Sequence, residues 1–256
     1  MTKKRSRGRR VLRWTLGIIG GLVVAAVVGI LVYSQVGVMA AEPEPLAAVR
    51  ADDRISITDD AGAIVMARAS SASASAAEPE VGLVFIPGAK VDPWAYASIL
   101  SGLVTDDDLT VVITKPWLNL AFFDLRPLSS FTDLAPSVTD WIVGGHSLGG
   151  VRACQLATDA DALLLLGSYC ANDLSTSALP VLSISGTEDG LSTPEKIGAG
   201  RPLLPADAVL VAIPGASNAS FGDYGPQPGD GTPTATDADV RAVVTSHVAD
   251  LADLLR

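Results

Sequence analysis

The chain has 256 residues, of which 18 are basic and 28 are acidic, and its formal net charge is −10 at pH 7. Seven of the basic residues precede the first acidic residue, Glu42, so the rest of the chain carries 11 basic and 28 acidic residues, a formal charge of −17. A field of that sign repels nucleic acid, and we expect no nucleic-acid partner.

The N-terminus has the pattern of a membrane anchor. Its seven basic residues are followed by 23 residues without a charge, from Leu16 to Val38. This apolar run is long enough to cross a bilayer as a helix and exceeds the roughly 7–15 residues of a cleavable signal peptide. Val38-Met39-Ala40 nevertheless resembles a processing site, so cleavage stays open. Basic residues on the N-terminal side predict that the N-terminus is cytoplasmic and that the following domain is extracytoplasmic.

These observations divide the chain into four parts. We predict a basic cytoplasmic tail at residues 1–14, a single-pass transmembrane anchor in the cell membrane at residues 15–38, a linker at residues 39–53, and one folded domain at residues 54–256. The linker prediction depends on Glu42-Pro43-Glu44-Pro45, which is typical of a stiff polar spacer.

The folded part begins with a predicted antiparallel hairpin, Arg54–Thr58 with Ala63–Met66, and continues through a low-complexity loop at Ser70–Ala77. Short apolar runs then alternate with helical or loop segments, which predicts an α/β fold with a mostly parallel sheet and helices on both faces. The runs are Val81–Ile86, Leu109–Thr114, Trp141–Val143, Ala162–Leu166, Val181–Ser185 and Val209–Ile213. Only about a dozen residues separate the fourth run from the fifth, so we expect no lid domain.

Gly145-His146-Ser147-Leu148-Gly149 has the Gly-x-Ser-x-Gly pattern of a nucleophile elbow and follows one of these strand-like runs. Such an elbow is a strained strand-to-helix turn, in which a side chain two residues before or after the serine would collide with backbone. The pattern predicts that Ser147 is a nucleophile of acyl transfer. A serine of this kind needs a base and an acid, which follow it in the order acid, then histidine.

An acid is present at the expected place, but a histidine is not. Asp189 follows a predicted strand at its carboxyl end and is the preferred triad acid, with its neighbour Glu188 as the alternative. The two histidines are His146, inside the elbow, and His247, on the apolar stripe of the last predicted helix. Neither is in the position of a triad base, and we expect both to pack rather than to transfer protons.

The oxyanion hole of such a site uses two backbone amides. One belongs to the residue after the nucleophile, Leu148, and the other to the loop after the first parallel strand. In that loop Ala89 is the preferred donor and Lys90 the alternative.

Cys154 and Cys170 are the only cysteines. In an oxidising compartment they are compatible with one disulfide, which we slightly favour over two buried thiols. Without a histidine cluster they do not make a zinc site, and we expect no metal and no cofactor.

Three further blocks stand out besides the elbow: Gly82-Leu83-Val84-Phe85-Ile86-Pro87-Gly88-Ala89-Lys90-Val91-Asp92-Pro93-Trp94-Ala95-Tyr96, Lys115-Pro116-Trp117-Leu118-Asn119-Leu120-Ala121-Phe122-Phe123 and Phe221-Gly222-Asp223-Tyr224-Gly225-Pro226-Gln227. Together they resemble the blocks of a bacterial family of compact alpha/beta hydrolases, over about Val81 to Arg256. The resemblance implies a serine-dependent hydrolase fold in which Ser147 and Asp189 occupy matching triad positions. It does not imply a particular substrate.

The chain departs from this family at the triad base. Where relatives resemble Gly-Gly-Asn-His-Ala-Gln-Phe-Gly, residues 215–222 read Gly-Ala-Ser-Asn-Ala-Ser-Phe-Gly, so Asn218 stands at the position of the histidine. Asparagine can orient a hydroxyl but has no nitrogen that titrates near neutral pH. Two interpretations follow: an impaired serine hydrolase acting on a small ester-like substrate, or an inactive hydrolase-fold protein that binds a ligand. The sequence leaves the oligomeric state open.

Overall fold

A computed structural model describes residues 4–69 and 80–256 of the chain. The chain forms two compact units that meet in sequence between Val38 and Met39. The first contains helix α1, Lys4–Gln35. Its segment Gly8–Gln35 is long and apolar enough to cross a membrane, a property that N-terminal signal sequences share.

The second unit is built on one sheet of eight strands within the described residues, in the order β1-β2-β4-β3-β5-β6-β7-β8. The strands β1 and β2 form an antiparallel hairpin, β2 is antiparallel to β4, and the other neighbours are parallel. Their bounds are β1 Ile55–Asp59, β2 Ala63–Arg68, β3 Glu80–Ile86, β4 Thr110–Thr114, β5 Val138–His146, β6 Ala162–Leu166, β7 Val181–Gly186 and β8 Val209–Ile213. The predicted strands and the mostly parallel sheet are thus confirmed.

Helices cover both faces of the sheet. Residues of α2, α3 and α7 pack in one buried cluster, and residues of α4 and α5 pack in another on the opposite face. The helices are α2 Pro43–Arg50, α3 Ala97–Thr105, α4 Ser129–Thr132, α5 Leu148–Leu156, α6 Pro194–Gly200 and α7 Asp237–Asp253.

Burial on both faces explains why the strands read as continuous apolar runs. In β3, Leu83 and Phe85 belong to the cluster under α3 and α7, whereas Val84 and Ile86 belong to the cluster under α5. Successive side chains of a strand point to opposite faces, so a strand covered twice needs apolar residues at every position.

The hairpin turn is fixed by Asp60, whose Oδ1 accepts hydrogen bonds from the amides of Gly62 at 2.6 Å and Ala63 at 2.9 Å. This is the local capping expected of aspartate in a turn. The predicted low-complexity loop at Ser70–Ala77 lies outside the described residues.

The structure differs from the sequence prediction at residues 39–53, where it contains a helix in place of a linker. Pro43 begins α2 at a position where its missing N–H is not needed. Leu46 and Val49, three residues apart, pack against the core, and Glu42 N donates to Asp223 O at 2.8 Å. The polar Glu-Pro repeat concealed this apolar face; the second compact unit begins at Met39, and α2 packs with it.

The segment between β6 and β7, residues 167–180, is fully described and contains turns and bends but no helix. This agrees with the expected absence of a lid at this point. The segment is joined to α5 by a disulfide between Cys154 and Cys170, and Asn172 Nδ2 donates to Cys154 O at 3.0 Å. The favoured pairing of the cysteines is therefore the one that the structure has.

Candidate active site

Ser147 occupies the turn between the end of β5 and the start of α5, at the carboxyl edge of the sheet. Its backbone has φ 50° and ψ −119°, a conformation that L-residues rarely adopt. Hydrogen bonds hold it there: its amide donates to Leu166 O at 3.0 Å, and its carbonyl accepts from Ser168 Oγ at 2.7 Å and from Gly150 N at 3.0 Å. The turn thus has the strained geometry of a nucleophile elbow.

Sterics explain the two glycines that flank Ser147. A Cβ at Gly145 would lie 2.4 Å from the carbonyl carbon of Gly149. A Cβ at Gly149 would lie 2.0 Å from Ile86 O and 2.5 Å from Pro87 O. Backbone approaches this close admit only glycine, and they bring the first turn of α5 against the loop that follows β3.

The donors of an oxyanion hole can be judged from the hydrogen bonds of this loop. Lys90 N donates to Asn119 O at 2.7 Å, so its amide is already used. Within the described residues, the amide of Ala89 has no acceptor, and that of Leu148 lies in the first turn of α5, where helix amides have no partner in their own helix. This favours Ala89 over Lys90 as the second donor.

The hydroxyl of Ser147 is also free. The residue is half-buried, and no hydrogen bond joins its Oγ to any other residue in the described parts of the chain. A nucleophile without a hydrogen-bonded base is not activated in this state.

Asp189 lies in the loop after β7 and is buried. Its Oδ1 accepts from the amides of Leu191 at 2.8 Å and Ser192 at 2.6 Å, and its Oδ2 accepts from Asn218 Nδ2 at 2.8 Å. Burial raises the pKa of the carboxyl above its ordinary value, although these hydrogen bonds act in the opposite direction. The alternative acid, Glu188, is exposed, and its Oε1 lies 3.4 Å from Thr187 Oγ1.

Asn218 lies in the loop after β8 and is fully buried. Besides its bond to Asp189, its Nδ2 donates to Gly167 O at 3.3 Å, while its Oδ1 has no partner among the described residues. The structure therefore brings Asn218 and Asp189 together, as a triad base and acid would be. The orphaned Oδ1 is an acceptor without a donor, which is costly in a buried site.

A second carboxylate, which sequence reasoning missed, fixes this loop. Asp230 Oδ1 accepts from the amides of Asn218 at 3.1 Å and Gly190 at 3.0 Å, and its Oδ2 accepts from Ala219 N at 2.7 Å. Burial alone raises the pKa of Asp230, but its backbone donors outweigh burial and hold the pKa below the ordinary value. Its position between two glycines, Gly229 and Gly231, was the available signal.

His146 is buried, and its hydrogen bond to Tyr96 does not suit it to act as the base. Its Nδ1 lies 2.8 Å from the hydroxyl of Tyr96, which accepts the Gly88 amide proton at 2.9 Å. Burial lowers the pKa of His146 to about 4, and the backbone and side chain of Asn218 act in the opposite direction. The imidazole is therefore neutral at pH 7. It is bonded to Tyr96, which holds the β3 loop, and its ring lies 6.0 Å from that of Phe221 in the loop after β8; sequence reasoning missed both contacts.

His247 lies far from this edge of the sheet. It is on α7, its Nδ1 is 3.7 Å from Asp250 Oδ2, and it lines a cavity of about 340 Å³ with Pro180 and Val181, at the amino end of β7. Ser147 lies at the carboxyl end of its strand, so His247 has no access to its hydroxyl.

No cluster of metal-binding side chains occurs among the described residues. Comparison of the sequence with curated proteins finds no significant match.

Solved structures share the fold at low sequence identity. One is an alpha/beta hydrolase enzyme, MGS-MChE2, from a metagenome of sediments from the lagoon of Mar Chica in Morocco, with a TM-score of 0.52 and 16% identity over 66% of this chain and 92% of that chain. Another is an alpha-beta serine hydrolase homologue from Coxiella burnetii, with a TM-score of 0.51 and 13% identity over 75% of this chain and 96% of that chain.

The sequence itself matches the model of the alpha/beta hydrolase family over residues 82–242, a range that begins in β3, includes the elbow and both carboxylate loops, and ends in α7. With the sheet order, the strained serine turn and this match in agreement, the chain belongs to the alpha/beta hydrolase family.

Proposed function

We propose that the chain is a membrane-anchored, extracytoplasmic serine hydrolase that acts slowly on an ester or similar acyl bond of a small molecule. One observation carries the proposal: Ser147 has the strained backbone of a nucleophile elbow, and its hydroxyl is free and half-buried. Such strain costs of order 1–3 kcal/mol and is characteristic of functional sites.

The reaction follows from the groups around Ser147. Its Oγ attacks the carbonyl carbon of the substrate, and the hydroxyl proton passes to solvent, because no protein base is bonded to it. The amides of Leu148 and Ala89 donate to the oxyanion that forms. The alcohol then leaves with a proton from solvent, and water hydrolyses the acyl-enzyme.

The proposed rate is low because the base is missing. In a serine protease, loss of the catalytic histidine alone costs roughly a millionfold in turnover. Asn218 donates to Asp189 but has no titratable nitrogen, so it can orient a group without carrying its proton. What remains is the contribution of the oxyanion donors and of binding.

The proposed placement in the membrane combines three features. The apolar helix segment Gly8–Gln35 supports the anchor that the sequence predicts at residues 15–38. The basic residues of the tail at 1–14 favour a cytoplasmic N-terminus, and the disulfide of Cys154 and Cys170 suits an oxidising compartment outside the cytoplasm. The net negative charge of the hydrolase domain repels nucleic acid, so we propose no nucleic-acid partner.

A second candidate function is that of an inactive hydrolase-fold protein that binds a ligand in the same cleft. The bond between Asn218 and Asp189 supports it, since this buried pair is hydrogen-bonded without a group that can transfer a proton to or from the serine. In this case the free amides near Ser147 bind an oxygen of the ligand and no bond is broken.

Labelling with a fluorophosphonate probe distinguishes the two functions. We expect the hydrolase to be modified at Ser147, with no labelling of the Ser147→Ala variant. A matched control is Ser101→Ala, which removes a half-buried serine hydroxyl that bonds Ser98 O within α3 and makes no contact with the Ser147 turn. Absence of labelling in the wild-type chain, with folding verified by circular dichroism, would exclude the hydrolase and favour the binding protein.

A further inference from the structure

The exposed apolar side chains of the hydrolase domain are concentrated in one segment. Between β4 and α4, Trp117 is 54% exposed, Phe122 66% and Leu125 75%, and Phe123 is also exposed. We call these four residues the aromatic rim. Only four other large apolar side chains are exposed in the described part of the domain, namely Leu134, Val209, Leu210 and Leu254. A concentration of this kind indicates an interaction surface.

The rim is held in place by its own backbone. Leu118 and Asn119 have positive φ values of 59° and 54°, which non-glycine residues rarely adopt. The segment is fastened on its inner side by Ala121, which packs in the core, and by Asp124, whose buried carboxylate accepts from Arg126 Nε at 2.8 Å. The aromatic side chains are therefore displayed outward by an ordered loop.

The rim adjoins both the candidate active site and the point where the chain enters the domain. Asn119 O accepts from Lys90 N at 2.7 Å, next to the proposed oxyanion donor Ala89. Lys90 O in turn accepts from Met39 N at 2.8 Å. Met39 is the first residue of the domain and directly follows the proposed anchor, residues 15–38.

The segment that contains the aromatic rim also differs in charge from the rest of the domain. Residues 115–126 contain Lys115, Arg126 and one acid, Asp124; Lys115 is ion-paired with Asp59 and Arg126 with Asp124, so this segment lacks the excess negative charge of a domain whose formal charge is −17. The Arg126 guanidinium lies 5.8 Å from the centre of the Trp117 ring. Tryptophan and other aromatic residues combined with basic residues suit the headgroup level of a bilayer, where one end of a side chain is apolar and the other is hydrated.

From these observations we infer that the aromatic rim lies against the lipid surface of the membrane in which the chain is anchored, so that Ser147 opens toward lipid-borne esters. The inference rests on the membrane anchoring in the proposed function, and it extends that function by naming the substrate class and the surface that meets it. The partner that contacts the aromatic rim is a phospholipid bilayer.

The test uses the full chain in phosphatidylcholine vesicles. An environment-sensitive fluorophore is attached to Phe122→Cys, and in a second variant to Leu125→Cys. The matched control is Leu254→Cys, because Leu254 is 69% exposed, like Phe122, but lines the cavity at the amino end of β7. Both native cysteines are in the buried disulfide and do not compete for the label.

We expect lipids with a shallow nitroxide label to quench the probes at 122 and 125 about threefold more than the probe at 254, since interfacial side chains lie roughly 5–10 Å deep. Flotation of the vesicles reports anchoring independently. Chain that floats while all three probes remain equally accessible to water would overturn the inference and leave the anchor intact. Blue-shifted emission at 122 without nitroxide quenching would show that protein covers the rim, and chain that does not float would refute both the anchor and the inference.

Discussion

Asn218 Nδ2 lies 2.8 Å from Asp189 Oδ2. We propose that Asp189 is the triad acid and that Asn218 occupies the position of the base that takes the proton of the serine. On this proposal the bond to the acid is kept, but an amide replaces the group that would carry the proton. Among the described residues, Asn218 Oδ1 is buried without a hydrogen-bond partner, so the amide leaves one side of this site unsatisfied.

Asn218→His should restore a base. We expect ester hydrolysis to rise by at least about a hundredfold, because general-base catalysis typically contributes 10² to 10⁴ in rate. The rate should also increase with pH through the range in which an imidazole loses its proton, near 6.5 before the effect of Asp189. Hydrolysis of a chromogenic short-chain ester across pH 5–8 measures both.

Two controls accompany this variant. Asn218→Gln keeps an amide and should show no gain, and the double variant with Ser147→Ala should abolish any gain that the imidazole gives. A variant with histidine at 218 that folds normally but hydrolyses no faster would show that Asn218 does not face the serine hydroxyl.

His146 should make the stability of the domain depend on pH. Its pKa is about 4 in the folded protein and near 6.5 when unfolded, so between these values the unfolded state binds more protons. The free energy of unfolding is therefore unaffected above pH 7 and falls as the pH drops from 6.5 to 4. The loss is about 3 kcal/mol at about 1.4 kcal/mol for each pKa unit.

Urea unfolding of residues 39–256 at pH 7, 5.5 and 4 tests this expectation. The His146→Gln variant should lack this part of the pH dependence, whereas His247→Gln, which changes a partly exposed histidine, should retain it. Because acids with raised pKa values contribute in the same range, the comparison is made between variants and wild type at each pH. Parallel curves for wild type and His146→Gln would contradict the buried neutral imidazole.

The sequence predicted the parts of the fold and site that depend on local pattern. Continuous apolar runs located six parallel strands because both faces of the sheet are covered, and the elbow glycines located Ser147 because nothing larger fits beside Ile86 O. The missed features are contacts between distant segments. Tyr96 and His146 are 50 residues apart, and nothing in either local sequence specifies their hydrogen bond. The α2 helix was missed because its charged and proline residues outnumber the apolar residues that hold it to the core.

The disulfide should stabilise the domain against unfolding. Cys154 and Cys170 are separated by 16 residues. Closing a loop of this size lowers the entropy of the unfolded chain and so raises its free energy by about 3 kcal/mol. We expect the Cys154→Ala/Cys170→Ala variant to lose about 2–4 kcal/mol in urea unfolding. Reductant should lower the free energy of unfolding of the wild type and leave the double variant unchanged. Equal sensitivity of the two proteins to reductant would show that the bond does not form.

Gly149 and Gly198 offer a matched test of the elbow, since both are helical glycines and only the first is enclosed. A Cβ at Gly149 would meet Ile86 O at 2.0 Å, whereas a Cβ at Gly198 in α6 would meet nothing within 4 Å. We expect Gly149→Ala to lower the free energy of unfolding by about 3 kcal/mol or more, because the backbone of β3 has to move. Gly198→Ala should raise it by up to about 1 kcal/mol, because alanine favours a helix over glycine.

The same pair of variants separates stability from catalysis. Gly149→Ala should also displace the amide of Leu148 and the loop of Ala89 from Ser147, so fluorophosphonate labelling should fall even at temperatures where the variant remains folded. Gly198→Ala should label at the wild-type rate. If Gly149→Ala were as stable and as reactive as Gly198→Ala, the close approach of α5 to the β3 loop would be wrong, and the oxyanion donors assigned from it would have to be abandoned.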